Sequence, residues 1–310
     1  MSGPTMTTRQ AIEIASKHMR GLAGHEFDLL TVGRPVSPDA AVNLAKIVSK
    51  LSPLLGNLIE FNTCEYLSDK PEFKPFGKWR RQDPGFPDAI FEGNITPVPG
   101  FEIKAWFPLA TEITARFKDS QNHFIDDRTY VAMLAWLPEH LIYGKPYILD
   151  VAVVSGASVA KARDDHYHNP PDYIVLEPED TKSRTRNLQQ TNTNGHKWQG
   201  TREEFKEAEA IVGKWGRKGR KYKPTAAYQH KLRGLLNKFH YRLDTNYAKM
   251  DRIVHPEIES FKTQVMETAV NGMPIREWCR VFASEDDKRI SVALEQHLGI
   301  KKADAGTLLK

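Results

Sequence analysis

Apolar positions in the first 70 residues recur with helical spacing. Thr8 to Gly21 carries one such stretch, and a second runs from Asp39 to Leu55, opened by Pro38-Asp39. Leu51, Leu54, Leu55, Leu58 and Ile59 follow the i, i+3, i+4, i+7, i+8 spacing of a buried face, so this helix is expected to reach about Leu67, with Ser68-Asp69-Lys70-Pro71 ending it. The texture then changes. Lys70 to Pro87 mixes proline, glycine, aromatics and basic residues, the composition of a loop. Extended segments follow at Asp88 to Glu92, Phe101 to Trp106 and Thr129 to Leu137, with a helical stretch from Pro108 to Lys118 before the last. Pro146 to Val154 and Tyr173 to Leu176 are further strands by their β-branched content. Pro178 to Lys223 is polar. The last third reads as helix from Ala226 to Met250 and from Pro256 to Val270, with Asn271-Gly272 as a stop and Pro274 opening the next element. This order predicts an α/β protein of the α+β type, with a mixed central sheet, an antiparallel meander and flanking helices.

Composition adds limits. The 310 residues are 40% apolar and 27% charged, enough for a proper core, and no apolar run approaches the roughly 18 residues of a membrane helix. Met1 to Gln10 is polar, without the apolar core of a signal peptide. Two cysteines, Cys64 and Cys279, exclude a disulfide framework or a cysteine-based zinc module and fit a reducing cytoplasm. Net charge is uneven: residues 1–155 hold 16 Lys/Arg against 18 Asp/Glu, and residues 156–310 hold 28 against 21. A near-neutral half with clustered carboxylates and a basic half suit an enzyme that handles a polyanion.

The chemistry concentrates at Pro87-Asp88, followed after thirteen residues by Glu102-Ile103-Lys104. In a strand, Glu102 and Lys104 share one face and Ile103 points into the core on the other. Glu92-Gly93-Asn94 and Pro97 to Gly100 supply a turn, so Asp88 is expected on a neighbouring antiparallel strand, beside Glu102 and the Lys104 amine. Two such carboxylates repel unless a cation lies between them, and an all-oxygen site with open positions suits Mg²⁺. His166-Tyr167-His168 lacks the spacing of a zinc site and is expected to be a loop. No Gly-rich phosphate loop is present.

This constellation, PD-x13-EIK on a predicted hairpin between two helices, resembles the PD-(D/E)XK nuclease superfamily, in particular type II restriction endonucleases. The resemblance covers roughly residues 50 to 180. It implies that Asp88 and Glu102, with the Ile103 carbonyl, ligand Mg²⁺ and that Lys104 orients the attacking water. It also implies a glutamate from the preceding helix, often in a Gly-x-x-x-Glu setting. Gly56 to Glu60 matches this, with Glu60 to support a second metal or the lysine and Glu65 as the substitute.

Candidate DNA contacts lie in two places. Lys182 to Gln199 is rich in basic and amide side chains: Lys182, Arg184, Arg186, Asn187, Gln189, Gln190, Asn192, Asn194, His196 and Lys197. Arginine pairs with guanine, and Asn or Gln with adenine, through bidentate hydrogen bonds. Lys214 to Lys223 adds Arg217, Lys218, Arg220 and Lys221, suited to phosphate attraction. Lys78-Trp79-Arg80-Arg81 is a candidate backbone clamp next to the Pro-Asp, with Trp79 equally suited to the core.

The expectation is a Mg²⁺-dependent endonuclease cutting double-stranded DNA to leave 5′-phosphate ends. It is a homodimer if its target is palindromic, with a cognate DNA methyltransferase as a genetic partner. Residues 1–223 form the catalytic domain, with a readout segment at 178–223. Residues 224–310 form a helical region packed on the same domain, for dimer contact or DNA embrace. The alternatives are a mismatch nickase or junction resolvase on the same core, or a nucleic-acid-binding protein without catalysis.

Overall fold

The computed structural model describes residues 5–28, 30–82, 85–109, 124, 127–168, 175–178, 195–198, 200–223, 225–239, 241–244, 254–284 and 286–301. Most of the expected helix at Pro108 to Lys118 and most of the Lys182 to Gln199 segment lie outside them.

Three helices open the chain: α1 (Thr8–Arg20), α2 (Pro38–Ile47) and α3 (Ser52–Ser68), the last two joined by a 3-10 turn. Thr7 and Gln10 close a capping box on α1, and Ser37 with Pro38 starts α2, satisfying first-turn amides that no carbonyl reaches. On α3 the buried face is Leu55, Ile59, Thr63, Cys64 and Leu67, while Leu54, expected on it, is 55% exposed.

Five strands form the main sheet: β1 (Gly77–Arg81), β2 (Ala89–Gly93), β3 (Gly100–Trp106), β4 (Thr129–Pro138) and β5 (Pro146–Ser155), in that spatial order. β1, β2 and β3 form an antiparallel meander, β4 runs parallel to β3, and β5 is antiparallel to β4. The fold is therefore mixed α/β with a five-stranded mixed sheet flanked by helices. β1 corrects the loop expected over Lys70 to Pro87. There Lys78 and Arg80 are exposed while Trp79 is 2% exposed, a period of two hidden by the surrounding proline and glycine. Trp79 belongs to the core, with its ring 5.1 Å from Phe101 and 5.4 Å from Phe91. β4 is buried from Val131 to Leu137, as a strand covered on both faces must be.

The helix α4 (Gly156–His168) follows β5 and runs through His166 and His168, which were expected in a loop. The chain then divides into two units, one of residues 1–164 and 250–310 and the other of residues 165–249. This division cuts across the expected boundary at 223. Helices α7 (Pro256–Glu267), α8 (Ile275–Phe282) and α9 (Asp287–Leu298) join the first unit's core through Ile258, Phe261, Trp278 and Leu294. Among its described residues the second unit has four strands, β6 (Val175–Pro178), β7 (Gly195–Trp198), β8 (Lys221–Tyr222) and β9 (Tyr241–Asp244), in the order β8-β6-β7-β9, and two helices, α5 (Arg202–Gly213) and α6 (Ala226–Lys238). Its own core holds Trp198, Ala208, Val212, Tyr228, Leu232, Leu235 and Phe239. Two expectations change here. α6 ends at Lys238 and a strand follows, where one helix was expected to Met250. Residues 195–198 are a strand with Trp198 buried, where a polar loop was expected.

Candidate active site

Asp88 lies one residue before β2. β2 and β3 stay paired over two positions only, Ala89 opposite Phe101 and Ile90 opposite Gly100; one further step in that register sets Asp88 across from Glu102. The pairing gives way there, and the Asp88 side chain takes the place of a strand partner: its Oδ2 accepts the Ile103 amide at 2.8 Å. The Asp88 carbonyl accepts the Gln82 amide at 2.7 Å, tying the other side to the end of β1.

Gly100 makes this approach sterically feasible. A Cβ built on it would come within 2.5 Å of the Pro87 side chain and 3.1 Å of the Ala89 carbonyl. Such contacts are far inside van der Waals separation, so the Pro-Asp segment can lie against β3 only because position 100 has no side chain.

On β3, Ile103 is fully buried while Glu102 and Lys104 project together, as the strand period requires. The Lys104 Nζ is 2.5 Å from Glu102 Oε1 and 3.1 Å from Asp88 Oδ2, and also donates to the Ile103 carbonyl at 3.2 Å. Asp88, Glu102, Ile103 and Lys104 are thus brought together. Their side chains are largely buried: 21% exposed for Asp88, 9% for Glu102 and 22% for Lys104. The second Glu102 oxygen, Oε2, is buried without a hydrogen-bond partner.

The electrostatics follow from this crowding. Burial raises the Glu102 pKa; Lys104 pulls it back down and Asp88 pushes it up again, leaving it above the ordinary value. Burial works against the Lys104 charge, but Glu102 and Asp88 together outweigh it and hold the proton on the amine more firmly than usual. Lys104 is therefore a cation at any working pH.

Glu60 enters from α3, whose Gly56 lies over Ala105 of β3. Its Oε2 accepts from Arg81 Nη2 at 3.3 Å, and the same Arg81 nitrogen donates to Asn57 Oδ1 at 2.9 Å. Burial, then the field of Asp88, pushes the Glu60 pKa up to about 7 against the pull of Lys104 and Arg81. Glu65, the substitute, is exposed. Sequence reasoning grouped Arg81 with the DNA clamp and did not single out Asn57; the signal was Arg81 sharing the face of buried Trp79 in a period-two strand.

Among the described residues, no group of three or more His, Cys, Asp or Glu side chains gathers closely enough to hold a metal ion. The donors that converge are two carboxylates and one carbonyl, all oxygen.

Only some of the candidate DNA contacts fall on described residues. Arg80 is exposed and 3.7 Å from Glu92. Lys182, Arg184, Arg186, Asn187, Gln189, Gln190, Asn192 and Asn194 lie outside the described residues, and His196 and Lys197 are on β7. Arg217 and Lys218 are exposed in a turn, Arg220 is paired with Glu209 at 2.5 Å, and Lys221 is on β8. No described helix is long and apolar enough to cross a membrane. In comparisons with protein-family models, curated proteins and solved structures, nothing matches this chain.

Proposed function

We propose that the protein is a Mg²⁺-dependent endonuclease of double-stranded DNA, built on a PD-(D/E)XK core and acting as a type II restriction enzyme. The observation that carries this reading is the convergence of Asp88, Glu102 and Lys104 in a largely buried cluster. The element order supports it: a helix, an antiparallel three-strand meander, then a strand parallel to the third, with the acidic residues where the second and third strands part.

The residues fit the metal this reading implies. Asp88, Glu102 and the Ile103 carbonyl are hard oxygen donors, and although Lys104 engages Glu102 Oε1, the buried Oε2 is left without a partner, a costly state that a bound ion would relieve. A set of two carboxylates and one carbonyl leaves positions for water and phosphate oxygens, the habit of Mg²⁺. When bound there, the ion supplies Lewis-acid polarisation of the phosphate and of a coordinated water.

The chain's own residues do the rest. Lys104, whose amine donates to Glu102, Asp88 and the Ile103 carbonyl, supplies hydrogen-bond donors to the cluster. It orients the attacking water and stabilises charge growing on the phosphorus oxygens. The water oxygen bonds to phosphorus and gives up a proton to solvent, the bond to the 3′ oxygen breaks, and that oxygen takes a proton from solvent, leaving 5′-phosphate and 3′-hydroxyl ends. Glu60, held by Arg81, supports the cluster from α3.

The test is incubation of phage DNA with the protein and Mg²⁺, followed by sequencing of the ends. Discrete fragments with common termini are expected, absent in EDTA. Asp88→Ala should abolish cleavage while retaining binding to the same DNA in Ca²⁺; full cleavage by this variant removes the site assignment.

A further inference from the structure

The unit of residues 165–249 carries the chain's positive charge: 17 Lys/Arg against 10 Asp/Glu, where the rest of the chain holds 27 against 29. Within it the two helices differ. α5 exposes Glu203, Glu207 and Glu209, whereas α6, AAYQHKLRGLLNK, contains no acidic residue.

α6 has two distinct faces. Tyr228, Leu232 and Leu235 are buried in the unit's core. Ala226, His230, Arg233, Gly234 and Asn237 are exposed, and at about 100° per residue they form one stripe with Lys231 beside it. No hydrogen bond or ion pair with another described residue engages His230, Arg233 or Asn237, whereas Lys238 at the helix end pairs with Glu207. Gly234, in the middle of the stripe, is unexplained by packing within this unit: a Cβ there would meet nothing within 4 Å. Glycine weakens a helix interior more than any residue but proline, and at this exposed position it leaves the helix backbone open to close approach.

We propose that α6 is a recognition helix that lies in the major groove of duplex DNA, with Arg233 and Asn237 reading base edges. The inference rests on the reading of the protein as a DNA endonuclease and names the element that chooses its sequence. The chemistry matches the groove. Arginine forms bidentate bonds to guanine O6 and N7, asparagine to adenine N6 and N7, and the major groove is wide enough for one helix. Ala226 and Gly234 let the stripe sink toward the base pairs, while Lys231 at its side meets the phosphates. An acidic protein partner would satisfy the charge but would give the amide at 237 and the glycine at 234 no role.

Gly234→Leu and Arg233→Ala test this in the full-length protein. Each is incubated in EDTA with a library of randomised duplex DNA, and the bound fraction is measured and sequenced. Gly234→Leu should keep or raise the melting temperature yet lose roughly tenfold or more in duplex affinity, separating groove entry from folding. Arg233→Ala should erase the preference at a guanine position by roughly tenfold to a hundredfold, the discrimination of one bidentate pair. Equal weakening on every sequence would make Arg233 a phosphate contact and overturn the readout role. Unchanged affinity in both variants, with wild-type binding and Mg²⁺ cleavage intact, would overturn the recognition helix and leave the nuclease reading standing. A wild-type protein that neither binds nor cuts duplex DNA would end both.

Discussion

Gly100 and Pro87 lie so close that a single methyl group between them would come within 2.5 Å of the proline ring. The contact is between the strand that carries Glu102 and Lys104 and the segment that carries Asp88, so it sets the separation of the carboxylates. Gly100→Ala should therefore push the segments apart. Overpacking of this kind costs about 1–3 kcal/mol, and the displaced Asp88 loses its bond to the Ile103 amide. The expected result is a lower urea midpoint together with a loss of Mg²⁺-dependent cleavage much larger than the stability change explains. A variant with wild-type cleavage would show that β3 and the Pro-Asp segment need not touch.

Lys104 is the cation that lets Glu102 and Asp88 share a buried site. Lys104→Met keeps most of the side chain's volume and removes only the charge. Two carboxylates then face each other without compensation, and removing one partner of a buried pair costs up to about 3–5 kcal/mol. The penalty has a pH signature. Without the amine, the folded-state pKa of Glu102, already raised by burial, rises further, so the variant loses stability as pH climbs above the ordinary carboxylate range, where the unfolded chain ionises first. Urea titrations of both proteins at pH 5 and pH 8 should show a gap that is small at the lower pH, larger at the higher one, and narrowed by millimolar Mg²⁺. A gap of equal size at both pH values would mean that lost packing, not charge, is responsible.

Glu60 gives a cleaner titration because its folded pKa, about 7, lies well above the ordinary 4.5. For an acid raised in this way, the folded state favours the protonated form. Stability is unaffected below about pH 4.5, falls as pH rises toward 7, and carries a constant cost above that. Discounted for the solvent that reaches the Glu60–Arg81 pair, the cost is about 1–2 kcal/mol. Glu60→Gln removes the ionisation and leaves an amide oxygen that can still accept from Arg81. In metal-free buffer the variant should show a flatter dependence of unfolding free energy on pH between 5 and 7.5 than the wild type. Parallel curves would place the Glu60 carboxyl in contact with water and away from the field of Asp88.

The cluster was legible in the sequence because strand alternation is local. Glu-Ile-Lys must place Ile103 opposite its neighbours, and a turn-rich stretch before it returns the chain to Asp88. The α3 glutamate was not legible in this way: helical spacing set Glu60 opposite the Leu51, Leu54 and Leu58 stripe and Glu65 on it, and only the Gly56-to-Glu60 resemblance favoured Glu60. Leu54 was misplaced because an apolar residue at core spacing carries no mark of which neighbour covers it. β1 was hidden because proline and glycine around it outweigh three alternating residues, and β9 because four residues after a helix extend its apolar rhythm. The boundary at 164 and 250 was out of reach in a different way. The packing of Ile258, Phe261 and Trp278 into the core built by the first 164 residues is a long-range contact, and no local pattern records it.

That boundary can be tested through Trp198, which is 3% exposed in the second unit's core and packs edge-on against Phe205 at 5.2 Å. Among the described residues, seven buried side chains form that unit's core, whereas the first unit draws on a far larger set. Truncating a buried tryptophan to alanine costs about 3–5 kcal/mol, a large share of what so small a core supplies. Because Trp198 is in neither the first unit's core nor the Asp88–Glu102–Lys104 cluster, the loss should stay local. Hydrogen exchange followed by mass spectrometry should show Trp198→Ala losing amide protection in α5 and α6, while β3, β4 and β5 keep theirs. Equal loss of protection in both units would mean that the chain unfolds as one body and that the two cores are thermodynamically a single one.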